Sequence, residues 1–186
     1  MKNIIRSACA AMMISAVMME ACFAMKDAQP YSEADKLLLG AVTSGDTEQF
    51  EHLINSGGLT PAGKNSAAKA ARFNPALSLG FLGKLLPLAD EDTQDHILRY
   101  ASKCNFGCGA PPVTQVLASG VAYSKTTLLE CLETAITRRY AAVNILPLLD
   151  ALKQIDTDFS GTVNALVADK STRGGFGARP ALRTLV

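Results

Sequence analysis

From residue 32 to residue 169, apolar side chains recur three and four positions apart, in runs broken by Gly, Pro, Ser, Asn or Asp. That spacing builds one apolar face of a helix, and the alternation expected of strands is almost absent. Ser32 precedes Asp35 at capping-box distance, and Leu37, Leu38 and Ala41 follow as an apolar face ended by Gly45. Asp46 opens the next helix, with Gln49 at its third position; Phe50, Leu53 and Ile54 form its face, and Gly57-Gly58 stops it. Asn65 or Ser66 is expected to open a helix through the Ala-rich run to Arg72. Asn74-Pro75 opens another that carries Phe81, Leu82, Leu85 and Leu86.

The same grammar continues. Asp92 or Thr93 introduces Ile97, Leu98 and Ala101, and Pro111-Pro112 introduces Val113, Val116 and Leu117, stopped by Gly120. Ser124 precedes a helix with Leu128, Leu129, Leu132 and Ile136. Its partner runs through Val143, Ile145, Leu146, Leu148 and Leu149, with a kink or break expected at Pro147. A short helix is expected over Thr162–Asp169. The fold class that follows is all-α.

The helices also come in pairs. Small residues near the ends of the first members, Ala41, Ala70, Ala101 and Ala135, recur at intervals of roughly 30 residues, and a spacing of that size is a repeat signature. Each is followed by an apolar pair: Leu53-Ile54, Leu85-Leu86, Val116-Leu117 and Leu148-Leu149. The stretch from Leu39 through Gly45-Asp46 to Phe50, Leu53-Ile54 and Gly57 resembles the ankyrin family's pattern of small residues, Gly-Asp, an apolar pair and Gly. Ile97–Gly120 and Leu128–Leu149 resemble it more loosely. No repeat carries the family's Thr-Pro-Leu-His; Thr60-Pro61 is followed by Ala62-Gly63, the interval varies, and Cys104–Ala110 reads as an insertion. The resemblance covers about residues 36–152 and implies an ankyrin-like helical-repeat solenoid of about four helix pairs. Stacking gives such units the partners they cannot find alone.

Residues 1–24 follow a different rule. Lys2 and Arg6 precede a short apolar stretch, Ala8–Met19, and Cys22-Phe23-Ala24 places small residues where a signal peptidase needs them. Residues 1–24 therefore read as a signal peptide cleaved between Ala24 and Met25. The alternatives are an uncleaved anchor and a lipoprotein acylated at Cys22, against which Glu20 argues. The expected organisation is a signal peptide (1–24), an ankyrin-like repeat domain (25–160), and a terminal helix with a flexible basic tail (161–186). The expected location is secreted or periplasmic.

Charge narrows the partners. Residues 25–186 carry 16 basic and 16 acidic side chains, so no global attraction draws the chain to nucleic acid. No later apolar run reaches the roughly 20 residues of a spanning helix, so no stable membrane insertion is expected after cleavage. Between Lys170 and Val186 there are four basic residues and no acid, a composition that permits a basic arm.

Candidate chemistry is sparse. Three cysteines remain: Cys104, Cys108 and Cys131. Cys104 and Cys108 flank a Gly-containing loop and read either as a loop-closing disulfide or as half of a metal site; structural zinc needs four ligands. The preferred pairing is a Cys104–Cys108 disulfide, with Cys131 reduced and buried on an apolar helix face. His52 and His96 lie near no nucleophile motif, and the acidic run Asp90-Glu91-Asp92 suits a helix N-terminus. The reading is an exported module that binds a protein partner, with no catalytic residue, cofactor or metal. By family analogy the partner is a host or envelope protein. The alternative is a small exported thiol-dependent enzyme, a hydrolase or a redox catalyst.

Overall fold

A computed structural model describes residues 31–72, 75–103, 112–137 and 142–172; the expected signal peptide, the Ala24–Met25 cleavage point, and both Cys104 and Cys108 lie outside the described residues. Among the described residues every regular element is helical. In chain order these are α1 (Glu33–Ser44), α2 (Thr47–Ser56), α3 (Pro61–Ala71), α4 (Pro75–Leu85), α5 (Glu91–Lys103), α6 (Val113–Leu117), α7 (Lys125–Thr137), α8 (Ile145–Ile155) and α9 (Phe159–Thr172). Short 3-10 turns follow α4 (Leu86–Leu88) and precede α8 (Ala142–Asn144).

The caps explain most boundaries. Ser32 Oγ accepts the Asp35 N–H at 3.1 Å while the Asp35 carboxylate accepts the Ser32 N–H at 2.8 Å, which completes the capping box of α1. Gly45 then takes the left-handed conformation, φ 80°, that lets the chain reverse into α2. Asp46 caps α2 by accepting from Gln49 N–H at 3.0 Å.

Four expectations shift. The Ala-rich helix opens at Thr60-Pro61 rather than at Asn65 or Ser66: Thr60 Oγ1 accepts the Gly63 N–H, and Pro61 loses nothing in the first turn, where backbone donors have no helical partner. The next cap is Asp90, two positions before the expected start, accepting from Thr93 N–H at 2.8 Å. Pro147 causes no mid-helix break, because α8 begins only at Ile145 and Pro147 stands in its first turn. The final helix is also longer than expected, and its Val163 is buried in the common core.

Packing follows a regular order. α1 lies on α3, α3 on α5 and α5 on α7, while α2, α4, α6 and α8 each lie against the helix that precedes them. α4 touches α6, and α6 touches α8. Phe50 of α2 meets Phe81 of α4 with ring centroids 4.3 Å apart, a tilted aromatic pair. One continuous core results. It contains Leu38, Leu53, Leu82, Leu98, Leu132, Leu148 and Leu149, all buried. Small residues admit close approach between first helices: Ala41, Ala67, Ala68, Ala71, Ala101 and Ala135 are buried, whereas Ala70 is only partly so. Ala71 is therefore the better anchor, and with it the first two intervals, Ala41 to Ala71 and Ala71 to Ala101, become equal.

Side chains at the N-terminal ends tie neighbouring first helices together. Asp35 accepts Thr60 N–H at 2.9 Å and Thr60 Oγ1–H at 2.8 Å. Asn65 bonds the backbone N–H and the carboxylate of Asp90. Thr127 donates its hydroxyl to Asp95 at 2.7 Å. Lys125 reaches Asp156 at 2.8 Å and Thr162 at 3.2 Å, which fastens the start of α9 to α7. Farther along, buried Asn144 donates to the carbonyls of Ala101 and Ser102, locking the turn before α8 to the end of α5.

Candidate interaction surface

α1, α3, α5 and α7 bury one side of each helix and leave the other to solvent. On α5 the buried positions are Thr93, Ile97, Leu98, Ala101 and Ser102, and the opposite stripe presents Asp92, His96, Arg99, Tyr100 and Lys103. On α7 the corresponding stripe is Thr126, Leu129, Glu130, Glu133, Thr134 and Thr137. α1 contributes Lys36, Leu37 and Gly40, and Leu37 is 49% exposed although nothing in its chemistry favours water.

The centre of this surface is an Arg–His–Tyr cluster. Arg72 caps the C-terminal end of α3 and is 6% exposed. Its guanidinium lies 4.7 Å from the Tyr100 ring centroid, in cation–π range, and its Nη1 bonds His96 Nε2. Arginine has donors only, so the imidazole nitrogen is the acceptor there. His96 and Tyr100 are one helical turn apart on α5, which brings both to the same guanidinium. Beside this cluster, Arg99 bridges Asp95 at 3.4 Å and Glu130 at 3.0 Å. These pairs are partly exposed and set orientation more than stability.

Asp35 is the most enclosed charge among the described residues. It is 2% exposed. Burial by itself pushes its pKa up, but hydrogen bonds from Thr60 and Ser32 outweigh burial and hold the carboxyl below the ordinary value. Asp90 behaves alike: burial raises it, while bonds from Thr93 and Asn65 and the charge of Lys69 bring it down. The acidic run at the start of α5 is thus used in capping and cross-linking, with Glu91 and Asp92 left solvated.

Cys131 is buried on α7 with a free thiol. Burial pushes its pKa up to about 11, against a smaller downward pull from the Ser102 hydrogen bond. A thiol so placed holds its proton at neutral pH, unlike an activated nucleophile. His52 is exposed on α2. His96 is also exposed, yet it is partnered by Arg72 rather than simply solvated. Sequence reasoning misses Arg72, Arg99 and Tyr100 as members of a surface cluster. The one-turn spacing of His96 and Tyr100 is visible in the chain, but their meeting with Arg72 depends on how α3 and α5 pack. Among the described residues no group of three or more His, Cys, Asp or Glu could hold a metal ion, and no helix is long and apolar enough to cross a membrane.

No protein family, curated protein or solved structure matches the chain in comparisons of its sequence and fold.

Proposed function

We propose that the protein is an exported interaction module: an ankyrin-like stack of four helix pairs, α1–α2, α3–α4, α5–α6 and α7–α8, that binds a protein partner through the outward face of its first helices. The observation that carries this reading is the packing order, in which first helices touch first helices in succession while each keeps some side chains exposed to solvent. The recurring buried alanine anchors and the side-chain bonds between successive helix N-termini support the same reading. A stack of this kind lets surface side chains vary over a constant core. Leu37, Tyr100 and the Arg72–His96 pair supply the apolar, aromatic and arginine groups in which binding energy concentrates. The module carries no catalytic step, and its partner is met outside the cytoplasm.

The test pairs affinity capture by the full chain with thermal melting. Leu37→Glu and Thr126→Arg, both at exposed positions of the outward face, should lose a captured protein while melting as the parent does. A partner retained by both variants, or lost only when a core variant unfolds, would overturn the assignment of this face.

A further inference from the structure

A concavity lies among α6, α7 and α8. Its volume is about 420 Å³, and it is formed by Leu117 of α6, Val121 and Tyr123 of the following loop, Leu128 of α7, and Asp150 and Ile155 of α8. That volume falls within the range of ligand pockets. Tyr123 and Leu128 are buried, whereas Ile155 is 48% exposed. Asp150 is the only charged residue among those that line it. An apolar groove with a single carboxylate fits an apolar side chain flanked by a cation.

We propose that this groove is the docking site for residues 173–186 of the same chain. That segment has three arginines and no acid. Its second half, Arg179-Pro180-Ala181-Leu182-Arg183-Thr184-Leu185-Val186, sets apolar side chains beside arginines, the complement of the groove's lining. Pro180 fixes its own φ and keeps Arg179 out of helical geometry, which favours an extended ligand. Tethering supplies the remaining argument. Ile155 forms part of the groove and ends α8; α9 starts shortly after it, at Phe159, and Lys125 fastens its first turn through Thr162. α9 has 14 residues and so measures about 21 Å. The stretch from Thr172 to Leu182 spans up to about 33 Å when extended, enough to return along the helix. A ligand on so short a tether has an effective concentration in about the millimolar range, so a weak contact suffices. Leu182 enters between Val121 and Ile155, and Arg183 or Arg179 pairs with Asp150. This groove is separate from the first-helix face, and the two assignments stand or fall independently.

Photo-crosslinking in the full chain tests the assignment. Leu182 is replaced by the photoreactive residue benzoylphenylalanine, and a second chain carries the same replacement at Leu185. Irradiation at low protein concentration should give intramolecular crosslinks to peptides containing Leu117, Val121 or Ile155. Asp150→Lys, which turns attraction into repulsion, should lower the yield by about fivefold or more without changing the helical circular dichroism. Crosslinks that map to the α1–α3–α5–α7 face, crosslinks formed only between two copies, or the absence of crosslinks from both labelled positions would each overturn the proposal. So would a yield indifferent to Asp150→Lys.

Discussion

Gly63→Ala is a substitution whose ordinary effect and local effect have opposite signs. Gly63 lies in the first turn of α3, in a conformation open to any residue, so helix propensity alone favours alanine by about 1 kcal/mol. Yet a Cβ at this position would sit 1.9 Å from Asp35 Oδ1, 2.2 Å from Asp35 Cγ and 2.7 Å from Asp35 Cβ. The carboxylate has to leave, and with it go its bonds to Thr60 N–H, Thr60 Oγ1 and Ser32 N–H. Hydrogen bonds to a charged group contribute about 1.5–3 kcal/mol each, so the loss of even two of these three costs about 3 kcal/mol or more. After the propensity gain the net destabilisation is about 2 kcal/mol or greater, roughly 4–8 °C in melting temperature for a chain of this size. Thermal and urea melts of Gly63→Ala, Asp35→Ala and the double variant measure it. Alanine at 35 keeps the 2.7 Å Cβ contact, so some penalty remains in that background. The oxygen clash and the lost bonds are gone, however, and the cost of Gly63→Ala should fall by about 1–3 kcal/mol. If Gly63→Ala stabilised the parent, or cost the same in both backgrounds, the Asp35 bridge between α1 and α3 would not carry the load assigned to it.

Other expectations follow from the same structure. Asp35 and Asp90 have folded pKa values below their ordinary ones, so each adds stability that is fully present above about pH 4 and is lost as pH falls through the folded value; Asp35→Asn should flatten the acid limb of a stability–pH curve, and an unchanged limb would contradict the shift. Leu53→Ala and Leu149→Ala each remove a buried side chain and should cost about 2–5 kcal/mol in urea denaturation. Cys131 should resist thiol reagents at pH 8 in the native protein and react only on unfolding, and fast native labelling mapped to Cys131 would favour the thiol-enzyme reading. The intact mass of exported protein should lack residues 1–24, and a species retaining Met1 in the membrane would sink the export reading.

The features legible in the sequence are those that short-range chemistry decides. The Ser32–Asp35 box, the Asp46 cap and the turns at Gly45, Gly57-Gly58 and Gly120 stand where their residues place them, because each depends on atoms only a few positions away. The core faces of α2, α5 and α7 are readable for the same reason. Expectation and structure part where two local signals compete. Asn65 has the chemistry of a cap, but Thr60-Pro61 is the stronger start, and it frees Asn65 to bond Asp90 on the next helix. Pro147 reads as a breaker only if α8 is taken to start earlier than Ile145. The cluster at Arg72 is illegible on principle, since its members come from two helices and meet only through packing.

The side-chain bonds between first helices bear on how these helices are held in register. In an irregular bundle, apolar packing fixes helix orientation, and polar groups at helix ends are satisfied within their own turn or by water. Here the carboxylate that closes the α1 capping box also bonds Thr60, the cap of α3; Asn65 of α3 bonds Asp90, the cap of α5; and Asp95 of α5 bonds Thr127 in the first turn of α7. Each link joins one helix start to the next and fixes the sliding position of neighbours, which apolar faces alone leave soft. Buried alanines on the same helices bear on the spacing, because a small side chain leaves room for a neighbouring helix to come close. Position along the helix and distance between helices are thus specified by different residue types on different parts of the same elements. Leu37 and Thr134 lie outside both the buried alanines and the N-terminal links, whereas His96 and Tyr100 meet Arg72 at the end of α3 and Glu130 meets Arg99 of α5, so part of the outward stripe adds contacts of its own between neighbouring first helices.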